Sequence, residues 1–126
     1  MVLLVEDDVH VRQLTVRLLE SLGYRVHEVI DGRSALAALD TLTEIDLLLT
    51  DMMLPGGMNG HELAIEIGQR GRAGLKVLYM SGYSAQSVQS NGWLTTGTEL
   101  LSKPFRRHEF ATKLRTILDR PKGDAS

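Results

Sequence analysis

Short, unbroken apolar runs alternate with stretches of helical periodicity along this chain, and that alternation constrains its fold more than any other feature. Val2-Leu3-Leu4-Val5 is the first run, and it stops abruptly at Glu6-Asp7-Asp8. A strand with no polar side reads as one buried on both faces, as inside a parallel sheet. From Val9 to Leu22 the period becomes helical, with Val11, Leu14, Leu18 and Leu22 on one stripe and Gly23 as the stop. Tyr24 to Val29 alternates like a strand near a sheet edge, Asp31-Gly32 marks a turn, and Ala35, Leu36, Leu39 and Leu42 mark a second helix. Ile45 to Thr50 is a third strand ending at Asp51, followed by the loop MMLPGGMNG and a third helix around His61 to Arg70 with Leu63 and Ile67 inward. Leu75 to Met80 is a fourth strand, and the polar stretch 81–97 is expected to hold a short helix. Thr98 to Ser102 is a fifth strand, and Arg106 to Leu118 a last helix with Phe110, Leu114 and Leu118 as its stripe.

Five strand-then-helix units predict an α/β fold, because parallel neighbours need crossover helices. Right-handed crossovers then make a doubly wound five-stranded parallel sheet the default. The 126 residues suit one domain, expected over residues 1–120 with a short tail at 121–126. A 43% hydrophobic content is too high for a disordered segment. The absence of cysteine excludes disulfide scaffolds, thiolate zinc sites and cysteine nucleophiles. A formal net charge of −2 gives no general reason to bind nucleic acid or an anionic membrane. That total has internal structure: residues 1–51 carry ten acids and four bases, whereas residues 103–122 carry seven bases and two acids. No apolar run approaches the roughly 20 residues of a membrane span, and no signal peptide is evident, so a soluble cytoplasmic domain is expected.

In doubly wound sheets ligands bind beyond the carboxyl ends of the strands. Here those ends carry Glu6, Asp7 and Asp8, then Asp51, then Ser81, then Lys103-Pro104. Converging carboxylates repel one another unless a cation sits among them or their pKa values rise. An all-oxygen, partly solvated acidic cluster suits a hard cation, above all Mg²⁺. A carboxylate nucleophile flanked by a metal, a hydroxyl and an ammonium is suited to receiving a phosphoryl group. Simpler roles account for other residues. Asp8 reads as a helix N-cap, and His10, His27, His61 and His108 as surface or rim residues without metal-ligand spacing, although His10 is near enough to touch a phosphodonor. Met52, Met53 and Met58 read as loop and cover residues, while Trp93 either anchors its loop or meets a partner.

The segments LLVEDD (3–8), LLTDMMLPGGMNGHEL (48–63), VLYMSGYS (77–84) and LLSKPF (100–105) together resemble a response-regulator receiver domain, the phosphoacceptor module of two-component signalling. The resemblance covers nearly the whole chain. It implies the flavodoxin-like strand order 2-1-3-4-5, with Asp51 as phosphoacceptor from a phosphohistidine on a histidine kinase or histidine phosphotransfer domain. It further implies Mg²⁺ (with Mn²⁺ able to substitute) on Asp7, Glu6, Asp51 and the main-chain carbonyl of Met53. Ser81 would bond a phosphoryl oxygen, Lys103 would pair first with Asp51 and then with the phosphate, and the Lys103–Pro104 bond would be cis. A second receiver is an expected dimer partner, and nucleic acid and membrane are not expected to be contacted.

Positions two beyond the acceptor and two beyond the hydroxyl tune acyl-phosphate lifetime in this family; here they are Met53 and Tyr83, which offer no group to orient water, so hydrolysis is not expected to be fast. The acceptor loop carries one residue more than the commonest pattern, and Leu100 stands where many receivers place a switching aromatic. A haloacid-dehalogenase-type phosphohydrolase would need a second Asp at position 53, and a nucleotide-binding domain would need a glycine-rich first turn. A pseudo-receiver interaction module would usually lack the acceptor or one of the paired acids, and none is missing here. As this chain alone, the protein is expected to be a phosphoacceptor rather than an enzyme. Its local style looks most like the receivers of hybrid sensor histidine kinases.

Overall fold

The structure, a computed structural model, describes residues 1–42, 44–52, 54, 58–72, 75–81, 99–102 and 106–119. The helix expected within 81–97, together with Met53, Tyr83, Trp93, Lys103 and Pro104, lies outside those residues.

Five parallel strands form one sheet: β1 (Val2–Val5), β2 (Val26–Val29), β3 (Leu47–Asp51), β4 (Lys76–Ser81) and β5 (Glu99–Ser102), in the order β2-β1-β3-β4-β5. Among the described residues the helices are α1 (Val9–Ser21), α2 (Gly32–Thr41), α3 (Gly60–Ile67) and α4 (Arg107–Leu118). None of them is long and apolar enough to cross a membrane.

Alternation along the buried strands divides the core in two. Val2, Leu4, Leu47, Leu49, Leu78 and Met80 point to one face, where Leu19 of α1 and Phe110, Leu114 and Ile117 of α4 cover them. Leu3, Val5 and Leu48 point to the other, beneath Ala35, Leu36 and Leu39 of α2 and Leu63 and Ile67 of α3. Both faces of β1 and β3 are therefore buried, as their unbroken apolar runs require. The alternating β2 lies at the sheet edge, with His27 and Glu28 exposed.

Several expectations need correction. Leu14, which the periodicity predicts on the inward stripe of α1, is 65% exposed, and the fully covered positions are Leu19 and Thr15. Thr15 tolerates burial because its hydroxyl donates to the Val11 carbonyl at 2.7 Å. In α4 Ile117 is buried where Leu118 was expected, Leu118 being only partly covered. Met52 is a core residue, 1% exposed, because the β3–β4 ladder continues one step through its amide to the Met80 carbonyl at 2.9 Å. The third helix stops at Ile67, short of Arg70, and gives way to a wider π-type turn over Gly68–Arg72. Gly71 takes the left-handed backbone (φ 90°) that turn requires.

Candidate functional site

The register of the sheet brings the acidic strand ends together. Val5 pairs with Thr50 across β1 and β3, so the next residues of the two strands, Glu6 and Asp51, emerge side by side. Carboxylate oxygens of Glu6, Asp7 and Asp51 all lie within 4.8 Å of one another. Glu6 is fully buried, Asp51 half-buried and Asp7 exposed, so the cluster opens to solvent on one side. Two unit charges at that spacing repel by about 3 kcal/mol at an effective dielectric of ~20, and by less where water reaches them.

Local backbone contacts hold each acid in place. The Glu6 amide donates to the Val29 carbonyl of β2 at 3.1 Å. Asp8 takes no place in the cluster: its side chain accepts from the amides of His10 and Val11 at 2.9 and 3.0 Å and caps α1. The Asp8 amide points back towards Glu6 Oε2 at 3.4 Å. On the β3 side, buried Thr50 donates its hydroxyl to the Asp51 carbonyl at 3.0 Å. Gly60 opens α3 directly over that carbonyl, where a Cβ would collide with the oxygen, and its amide bonds the Met52 carbonyl at 3.0 Å. Asn59 caps α3 through a reciprocal pair with Glu62.

Of the residues singled out from sequence, Glu6, Asp7 and Asp51 meet. Ser81 is the last residue of β4, one step beyond the Asp51–Met80 pairing, and stands in register with Ser102 of β5. Lys103 and the Met53 carbonyl lie outside the described residues. His10, His27 and His108 are exposed and His61 half-buried, in keeping with surface or rim positions. Three contributors escaped the sequence reading: Thr50, Gly60 and Arg12, whose Nη1 donates to the Glu6 carbonyl at 3.0 Å. The strand-end position of Thr50 and the Asn59-Gly60 pair at the start of α3 were available signals. Arg12 had none beyond its helical spacing.

The donor set suits a divalent cation. It is all oxygen and carries multiple negative charges, and Mg–O distances of about 2.0–2.1 Å allow two ligands on one ion to stand about 4 Å apart. The three carboxylates are close enough to share such an ion directly or through water.

Comparison with known proteins bears on the same residues. The response regulator receiver domain family matches residues 2–115. The sensor kinase CckA of Brucella abortus is 34% identical over 120 residues, covering 94% of this chain but only 12% of the kinase. The response regulator receiver protein CpdR of the same organism is 32% identical over 117 residues, covering 93% of this chain and 95% of CpdR. The crystal structure of the receiver domain from the hybrid histidine kinase CckA superposes with a TM-score of 0.73 at 33% identity, covering 94% of this chain and 98% of that domain. With the strand order, the acidic cluster and the family match in agreement, the chain belongs to the response regulator receiver domains of two-component signalling.

Proposed function

We propose that Asp51 is the phosphoacceptor of this receiver and that Glu6, Asp7 and Asp51 hold Mg²⁺, with Mn²⁺ able to replace it. The observation that carries the reading is the meeting of these three carboxylates at adjacent strand ends. The donor is a phosphohistidine on a histidine kinase or histidine phosphotransfer domain. An Asp51 carboxylate oxygen attacks phosphorus, the P–N bond breaks, and its electron pair stays on the imidazole nitrogen. The product is an aspartyl phosphate. Mg²⁺, when bound, offsets the charge that would otherwise repel the incoming phosphoryl group.

The chain's own residues supply the rest. Buried Glu6 presents its carboxyl group from a fixed position, and exposed Asp7 meets the solvent side. The Thr50 hydroxyl on the Asp51 carbonyl and the Gly60 amide on the Met52 carbonyl hold the backbone on either side while the Asp51 side chain reacts. By the family resemblance, Ser81 donates its hydroxyl to a phosphoryl oxygen, Lys103 pairs with the phosphate, and the Met53 carbonyl completes the metal ligands. The same reading puts the domain in the cytoplasm, alone or within a membrane-anchored sensor kinase, with a second receiver as a possible dimer partner.

Incubation with phosphoramidate, followed by intact-mass measurement, tests the assignment. The wild-type protein gains one phosphoryl group when Mg²⁺ is present, and loses that capacity with a chelator. Asp51→Asn stays folded and unlabelled. Labelling retained in that variant places the acceptor elsewhere.

A further inference from the structure

Arg12 takes no part in the chemistry above, yet it is tied to the acidic turn from the side. Its Nη1 donates to the Glu6 main-chain carbonyl at 3.0 Å, and its Nε to Glu28 Oε1 at 3.2 Å. The Arg12 side chain is 16% exposed. Glu28 comes from β2, in register with Leu4 of β1, so the guanidinium bridges a helix, the end of one strand and the neighbouring strand. A planar guanidinium engaged on two sides has little rotational freedom left. The carbonyl it holds belongs to the peptide that joins Glu6 to Asp7, and rotation of that peptide re-aims Asp7.

We infer that Arg12 and Glu28 form a positioning pair for the cation site, fixing the Glu6–Asp7 peptide so that both carboxylates face Asp51. This rests on the reading of Glu6, Asp7 and Asp51 as a cation site. Glu28 has a second role: it balances the guanidinium, so that Arg12 supplies a directed donor without net positive charge beside a divalent ion. An ordinary surface ion pair would contribute only to stability, and little of that.

The test is Mn²⁺ binding to the intact chain, read from the electron paramagnetic resonance of the free ion. The wild-type protein binds one Mn²⁺. The double variant Arg12→Met/Glu28→Gln keeps the net charge but loses the fork, and binds about tenfold more weakly, the scale seen when partners behind metal ligands are removed. Its half-saturating Mg²⁺ for labelling rises by a similar factor, whereas the rate at saturating Mg²⁺ changes far less. Glu28→Gln alone keeps an acceptor for Nε but leaves the guanidinium unbalanced. It weakens binding about threefold at low ionic strength, and the loss shrinks as salt screens the charge.

Wild-type Mn²⁺ affinity in the double variant, with a lowered unfolding midpoint, would show that the pair braces the fold only. If the double variant does not fold, Glu28→Gln decides: affinity unchanged at low salt overturns the inference. A wild-type protein that binds no Mn²⁺ overturns the cation-site reading itself.

Discussion

At the end of β1, Asp8 accepts from the amides of His10 and Val11 and caps α1; at the end of β2, Asp31 accepts from the Ser34 amide and caps α2. The two turns thus solve the same local problem, the orphan donors of a helix N-terminus, with the same residue type. They differ in what precedes the cap. Before Asp31 stands Ile30, 51% exposed, whereas before Asp8 stand Glu6 and Asp7. The β2 turn lies at the sheet edge, and the β1 turn lies against the end of β3, where Asp51 waits. An acid after a strand is accounted for once a cap uses it. Acids beyond that need another explanation, and here they converge on a third carboxylate.

The β1 turn meets Asp51 only while the end of β3 is held against it, and Gly60 is where that hold can be broken. A Cβ at Gly60 would meet the Asp51 carbonyl oxygen, with the Asp51 carbonyl carbon at 3.2 Å and Met52 Cα at 3.3 Å, all backbone that cannot swing aside. Gly60→Ala is expected to cost about 3 kcal/mol in urea unfolding, as overpacking of a tight site does, and to slow labelling of Asp51.

Titration separates the structural turn from the rest of the molecule. Burial pushes the Tyr79 phenol from 10.0 up to about 12. The folded state keeps that proton to higher pH than the unfolded chain does. The stabilisation is therefore complete below pH 10 and is lost as pH rises through about 12, a loss of about 3 kcal/mol that Tyr79→Phe removes. Asp31 sets the opposite limb: its bond from the Ser34 amide holds the carboxyl below its ordinary 3.8. Its contribution is present above that value and disappears as pH falls through the lowered one. Asp31→Ala should cost about 1 kcal/mol at neutral pH and flatten this acid limb in thermal unfolding. A change in Mg²⁺-dependent labelling from Asp31→Ala would break the distinction between the two turns.

Much of this was legible from residues alone because strand ends in a parallel sheet are both sequence punctuation and chemical site. The run Leu3-Leu4-Val5 before Glu6-Asp7 announced a doubly buried strand and its acidic terminus at once. Helix phase was harder to read. Leu18 and Leu22 do pack on the core in α1, but the centre of the covered face runs through Leu19 and Thr15, a polar residue whose internal hydrogen bond hides its core position. Leu118 and Ile117 show the same kind of offset in α4. Met52 misled because its loop-like neighbours concealed the continued ladder. Arg12 and Gly60 act on main-chain carbonyls earlier in the chain, outside the three- and four-residue spacing of a helix, and such contacts leave no side-chain pattern to read.

A cation held at the β1 turn and not at the β2 turn is what the proposed phosphoacceptor role requires. Labelling by phosphoramidate across a Mg²⁺ titration, with Asp7→Asn set against Asp31→Asn, tests it most directly. Asp7→Asn is expected to lose the Mg²⁺ response, while Asp31→Asn titrates like the wild type. Equal responses from the two variants would contradict it.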